Sequence, residues 1–488
     1  VNAKQYIYSK NLKLSKLLLV LSVISCQAQA VTLFNFDPGL VRAKNIHLKV
    51  GMNSYNMLNV CNDSNQLTGL SAKDVAFHGL CNSIPIRAYA AKLNSSISRH
   101  GQAKAMLLPN LGLSATQSLR KTSSFIPDIN RPELGVTGDY ENQRKDTISF
   151  AFPVYTFGAT LAAIGSADSH VEAAVYELQE QMESSLVEIL VAYYDCYYAF
   201  KLYDSFKLGI SLAKQSLEIT ERRYIKGLIS KSDVLLAQAS VAKYELDMQR
   251  MEQQKNSKLN VLSSLLMIES SKLTGMNFSA YEIPEVKIST PIGKDLDEMS
   301  ALRPLYKAYM MKYKASQLQV EQTKREGFGS INLTSNLSNQ NITNKSFQTQ
   351  KGLEAYIGIN MTVPVFEGFG RTYKIKESIN NSEVSFQEFE NAKKKIKEEI
   401  VQNILSLNQE LKIQNVVSSY QMIASQSGDA ALQKYLKGLS ELNDVINAQR
   451  EYVNSMTEYY SAAFRLAESR IKYNRDGGFL NLELGLDQ

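Results

Sequence analysis

The stretch "YIKGLISKSDVLLAQ", Tyr224 to Gln238, returns 211 residues later as "YLKGLSELNDVINAQ", Tyr435 to Gln449. Tyr224, Lys226, Gly227, Leu228, Asp233, Val234, Ala237 and Gln238 fall on Tyr435, Lys437, Gly438, Leu439, Asp444, Val445, Ala448 and Gln449. A proline recurs at the same interval, Pro153 and Pro364, and Ile148, Phe152, Val154 and Tyr155 align with Ile359, Val363, Val365 and Phe366. The distance from proline to motif tyrosine is 71 residues in both copies. A loop tolerates insertions, but each residue added to a packed helix rotates its face by about 100°. Equal spacing therefore predicts a rigid element in each copy.

The intervening segments read as helix. From Ala159 to Arg223 there is no proline, and apolar residues recur three and four apart, as in Leu186, Ile189, Leu190, Tyr193, Tyr194 and Tyr197. Tyr373 to Gln433 has the same character. About 65 helical residues extend roughly 100 Å. Such a rod has no core of its own and must pack against partners. The aromatic run "YYDCYYAF", Tyr193 to Phe200, reads as helix packing rather than a ligand stripe. Gly227 and Gly438 each supply a helix C-terminus, where left-handed backbone costs little. Ser230 or Ser232, and Asn443 or Asp444, can cap returning helices over Val234 to Lys272 and Val445 to Tyr473. Each motif is thus expected to be a tight helix–turn–helix.

Ahead of each rod the periodicity changes to two. In "DTISFAFPVYTFG", Asp146 to Gly158, Ile148, Phe150, Phe152 and Val154 share a face. In "AYIGINMTVPVFEGFG", Ala355 to Gly370, Ile357, Ile359, Met361, Val363 and Val365 do the same. Weaker alternation precedes each, at Leu111 to Leu119 and Ile331 to Leu337, across polar segments that hold Pro127 and Pro132 or "SNQNITNKS". These are two β-hairpins. Alternation alone fits either half-buried hairpins of a soluble domain or pieces of a membrane barrel. Their coupling to duplicated rods favours the barrel.

The chain begins with an address. Lys10, Lys13 and Lys16 precede "LLLVLSVIS", Leu17 to Ser25, and then "CQAQA", which makes a secretory signal with cleavage expected after Ala30. A lipobox-like reading, with Cys26 lipidated, is the alternative. No later apolar stretch approaches the ~20 residues of a spanning helix. Export makes a Cys61–Cys81 disulfide the expected pairing, against two free thiols. It would close a 19-residue stretch, a contribution on the order of 3 kcal/mol.

Several functions lack support. The net charge of +6 over 488 residues is small, and runs such as "AKKKIKEEI" mix signs, so nucleic acid is not an expected partner. His47, His78, His100 and His170 show no metal-ligand spacing. No convergent Ser/His/Asp, Cys/His or metal set suggests an enzyme or a cofactor.

"FAFPVYTFGA", "MTVPVFEGFGR", the two "Y-x-K-G-L…D-V…A-Q" turns, and "DVAFHGLCNSIP" followed by "KAMLLPNLGL" together resemble the TolC-type outer-membrane efflux and type I secretion channels. The likeness runs from about Leu70 to Leu480. It implies an α+β membrane protein with a two-fold internal repeat of β-hairpin plus long α-helical hairpin. It further implies a homotrimer, whose 12-stranded β-barrel continues into a periplasmic α-helical barrel. The expected organisation is a signal (1–30), an extended segment (31–69), a first repeat (70–274), a linker (275–297), a second repeat (298–480) and a tail (481–488). Strand-to-helix junctions are expected at Pro153, Gly158, Pro364 and Gly368.

The resemblance also implies a role: an exit duct embedded in outer-membrane lipid that docks on a periplasmic adaptor and an inner-membrane transporter of ABC or RND type. The docking tips would be Gly227, Leu228 and Ser230, with Gly438, Leu439 and Ser440. In the family, the first tip's aspartate accepts a hydrogen bond from the second tip's tyrosine and holds the pore shut. Those positions are Asp233 and Tyr435. The family's accompanying arginine falls on Ser440. The acidic ring at the entrance matches Asp444, and its second member is Asn447, so a looser gate is expected. A plain helix cap is the competing role for Asp233 and Asp444. The alternative function is a structural coiled-coil protein of the envelope, which explains the helices but not the hairpins.

Overall fold

A computed structural model describes residues 71–124, 137–273, 294–343 and 349–478. The expected signal, the segment 31–69, Cys26, Cys61, Pro127, Pro132, most of the linker and the tail lie outside the described residues. In chain order the elements are α1 (Ala72–Asn82), α2 (Ile84–Ala105), β1 (Asn110–Ser124), β2 (Thr137–Tyr155), α3 (Ala159–Ile225), α4 (Lys231–Leu266) and α5 (Ser270–Leu273). There follow α6 (Lys294–Leu302), α7 (Pro304–Glu326), β3 (Ser330–Thr343), β4 (Thr349–Thr362), α8 (Gly370–Leu436) and α9 (Leu442–Asp476). The rods α3 and α8 are each 67 residues, and both ends of α8 stand 211 positions after those of α3.

The strands form one antiparallel sheet in the order β1-β2-β3-β4. All four are longer than alternation suggested on the side away from the helices, because charged and amide residues such as Arg144 and Asn341 continue the ladder there. Sequence alternation marks only the apolar band. At the other end β4 stops at Thr362 rather than reaching Gly370, and Pro364 lies beyond it. Proline has no N–H to donate, so the ladder ends before it. Pro153 stays inside β2, next to a register shift between Pro153 and Tyr155.

Register fixes the two faces. Leu111 opposes Phe150, Phe150 opposes Ser335 and Ser335 opposes Ile357; Leu113, Ile148, Leu337 and Ala355 form the next row. This face is apolar and exposed in the single chain, at 60% for Leu113, 74% for Ile357 and 73% for Ile359. The opposite face carries Ser149, Thr334, Asn336, Asn360 and Thr362. From Leu353 to Met361 the apolar row covers nine residues of β4, about 30 Å along a strand, close to the apolar band of a tilted barrel strand.

Each strand leads to a helix, and the lateral order is preserved. α2 and α4 flank α3, then come α7 and α9, then α8. Near the sheet α3 packs on α7, where Ser166 Oγ donates to the Ala315 carbonyl. Further down it packs on α4 and α9 through Ile210, Ala213, Val241, Tyr244 and Val453. The chain is therefore an open wall whose two edges run from β1 through α2 and α4, and from β4 along α8. Apolar residues stay bare on the helical flanks, with Val261 on α4 and Val416 on α8 among them.

At both strand-to-helix joints the backbone turns left-handed over two residues: Phe157 and Gly158 (φ 50° and 81°), then Gly368 and Phe369 (55° and 64°). The glycine and the phenylalanine have exchanged places. Gly368 thus corresponds to Phe157, and Gly158 to Phe369, although both glycines lie at the expected junctions.

Where α7 begins above the end of α9, a charged cluster joins four helices. Arg303, 2% exposed, sends Nη1 to Asp476 Oδ1 (2.5 Å) and Nη2 to Glu180 Oε1 (2.9 Å). Glu180 Oε2 accepts the Leu305 N–H at 3.3 Å, so a carboxylate sits at the positive end of α7. Asn403 Nδ2 donates to Asp476 Oδ2 at 2.7 Å, and Arg475 bridges to Glu399. Nearby, burial and then the Glu180 charge push the Glu183 carboxyl up to about 7.

Candidate functional site: the helical tips

Both tips are built alike. Gly227 and Gly438 are left-handed, at φ 71° and 74°. In the first, Gly227 N donates to the Tyr224 carbonyl (2.8 Å) and Leu228 N to the Arg223 carbonyl (3.0 Å). In the second, Gly438 N donates to Tyr435 (2.9 Å) and Leu439 N to Lys434 (2.9 Å). This is the Schellman pattern, which satisfies the last carbonyls of a helix and turns the chain away. Leu228 and Leu439 then project into solvent, 64% and 73% exposed.

The returning helices start differently from each other. Ser230 caps α4: its Oγ accepts the Asp233 N–H at 3.3 Å, and Asp233 Oδ2 accepts from Ser230 N (3.0 Å) and Oγ (2.9 Å). The cap of α9 is Glu441, not Asn443 or Asp444, because the extended backbone (φ −82°, ψ 158°) falls on Glu441. Asp444 stands at the third helical position and accepts from Glu441 N at 3.4 Å. Asn447 lies one turn on and accepts from Arg450 at 2.8 Å. Ser440 Oγ is buried in the turn without a hydrogen bond.

The hydrogen bond expected between Asp233 and Tyr435 is not made. Asp233 is committed to its own cap. Tyr435, 2% exposed, packs among Ala237, Leu442 and Val445. Its hydroxyl lies 3.2 Å from Thr220 Oγ1. Thr220 already donates to the Ser216 carbonyl at 2.7 Å, so Tyr435 is the donor. Arg223 Nη1 donates to the Tyr435 carbonyl at 2.7 Å, and its guanidinium carbon sits 4.7 Å from the centre of the Tyr435 ring. Gln449 Nε2 reaches Ser216 Oγ at 2.9 Å and so ties α9 to α3 as well. Thr220, Arg223, Ser216 and Gln449 escaped the sequence reading. Only Gln449 belonged to the duplicated motif, and its counterpart Gln238 is exposed.

Cys81 is disulfide-bonded; Cys61, its expected partner, lies outside the described residues. Cys196 is a buried free thiol, and burial raises it to about 12, so it is inert. Among the described residues no His/Cys/Asp/Glu group could hold a metal, and no helix is long and apolar enough to cross a membrane.

A four-stranded sheet with one apolar face thus stands on helices that turn back about 100 Å below. Residues 79–266 match the outer membrane efflux protein family. The fold matches solved TolC-type channels. The CmeC outer membrane channel of Campylobacter jejuni superposes with a TM-score of 0.71 at 18% identity, over 84% of this chain and 86% of that one. The outer membrane protein VceC of Vibrio cholerae gives 0.68 at 16%, over 84% and 96%. Among curated proteins, Protein CyaE of Bordetella pertussis is 24% identical over 320 residues, 65% of this chain. The chain spans 64% of that relative's length.

Proposed function

We propose that three copies close a 12-stranded barrel over a 12-helix tunnel, and that the trimer is the passive outer-membrane exit duct of a tripartite efflux or type I secretion system. The observation that carries this reading is the pair of open edges. Among the described residues β1 and β4 each lack a neighbour on one side, and four strands cannot close a barrel, since small ones have about eight. The bare apolar flanks of α4 and α8 lie below the same two edges and call for the same neighbours. In this reading the chain is a two-fold repeat, and the exposed tips at Leu228 and Leu439 meet a periplasmic adaptor that links the duct to an inner-membrane transporter. Asp444 and Asn447 would line the entrance, with one acidic ring in place of two.

Outer-membrane fractionation followed by electrophoresis without boiling tests the proposal. The expected result is a trimer-sized species that converts to monomer on heating. A water-soluble monomer would sink it. Crosslinking from residues near Gly227 and Gly438 would then identify the adaptor.

A further inference from the structure

Tyr435 is gripped from α3 at three points: its hydroxyl by Thr220, its carbonyl by Arg223, and its ring by the same guanidinium. The carbonyl belongs to the last turn of α8, the negative end of that helix. An arginine supplied from a neighbouring helix thus acts as a C-terminal cap in trans. The grip is not duplicated. At the equivalent places of the second half stand Lys434 for Arg223 and Ala431 for Thr220, and Tyr224, the counterpart of Tyr435, is 43% exposed. Lysine lacks the planar fork that can serve a carbonyl and a ring together, and alanine offers no hydroxyl.

We infer that Arg223 is a positioning residue of the gate. By holding Tyr435 it fixes the end of α8 to the end of α3, so that the two tips of one subunit are restrained together and the pore stays narrow. This rests on the reading of the tips as the channel entrance. It also assigns the restraint to a residue ahead of the first turn, in place of Asp233 behind it and of the arginine missing at Ser440.

The test uses the full-length channel in planar lipid bilayers. First, Asp444→Asn should relieve block by hexaamminecobalt(III) added on the helical side; if block is unchanged, the tips are not the entrance and the inference falls with that reading. With that arm positive, Arg223→Gln should raise the open-to-closed ratio by about tenfold or more, as loss of a charge-assisted hydrogen bond and a cation–π contact implies. Arg223→Lys should lie between Gln and the parent, and Lys434→Gln, which removes the same charge from the equivalent place, should match the parent. Thr220→Val, a milder change, should move the ratio in the same direction. Unheated trimer mobility verifies that each variant has assembled. Parental gating in Arg223→Gln and Thr220→Val, with opening in Asp233→Asn, would overturn the inference.

Discussion

Arg303 and Asp476 meet at 2.5 Å although they are only 2% and 1% exposed and lie 173 residues apart. Burying either charge alone is strongly unfavourable, and here Arg303 answers both Asp476 and Glu180. The ion pair links the first turn of α7 to the last turn of α9, so two shorter helices act as one rod beside α3 and α8. Arg303→Ala should cost about 3–5 kcal/mol, because it takes the closest cation away from buried Asp476 and half-buried Glu180. Asp476→Asn should cost less, since an amide oxygen can still accept from Arg303. Denaturant unfolding of the detergent-solubilised protein measures both, and an unmoved midpoint for Arg303→Ala would show that the cluster is not a clamp.

Glu183 lies beside that cluster and gives it a pH dependence. Burial and the neighbouring Glu180 raise its carboxyl from 4.5 to about 7. Between those values the folded chain holds a proton that the unfolded chain has released. The folded form is therefore favoured on the acid side, and stability falls as pH rises from 4.5 towards 7. Glu183→Gln keeps the neutral shape and should remove this slope while leaving the acid-side stability nearly unchanged. Melting temperatures of the two proteins across that range should converge at low pH and separate near neutrality. Parallel curves would show that Glu183 does not titrate in this window.

Gly329 joins α7 to β3 at φ 89°, and a Cβ built there would stand 2.0 Å from the Thr362 carbonyl oxygen. That oxygen is backbone, at the end of β4, and has no rotamer by which to withdraw. Gly329→Ala therefore combines an unfavourable dihedral with a clash that only a shift of the β3–β4 ladder can relieve. It should destabilise by more than about 1 kcal/mol. Gly227→Ala, at φ 71° with nothing within 4 Å of its Cβ, should show the dihedral cost alone. Unfolding midpoints of the two variants order the effects, and equal losses would show that Thr362 moves aside.

What could be read in advance follows from what repeats. Helices α3 and α8 were legible to within a few residues because a rod in register with its counterpart admits no insertion. The faces of the sheet were legible because the apolar band must alternate. The outer parts of the strands were not, since their ladder bonds are backbone and place little demand on side chains such as Arg144 or Asn341. Pairs that occur once left no pattern to detect. Nothing local distinguishes Arg303 from other arginines before a proline, and its partners Glu180 and Asp476 are set only by the packing of four helices. At the tips, the resemblance to TolC-type channels implied that Asp233 and Tyr435 were partners. Ser230 stands three residues before Asp233, and this capping box, a short-range bond, prevailed over the longer reach.

The assignment of the sheet's faces has a direct consequence. Ile357 is 74% exposed, sits in the apolar row opposite Ser335, and lies midway between Leu353 and Met361 on β4. If that face meets lipid, a charge there must be carried near the middle of the hydrocarbon. Ile357→Lys should then cost about 2–4 kcal/mol of folding into bilayers. Asn336 opposes Tyr356 in the neighbouring row, on the other face of the same sheet. Asn336→Lys should fold like the parent and instead shift ion selectivity towards anions, since it would add a positive charge to the water-filled interior. Refolding from urea into lipid vesicles, read by heat-modifiable migration, separates the two positions. Should Asn336→Lys block assembly while Ile357→Lys assembles freely, the apolar face points inward and the channel reading fails with it.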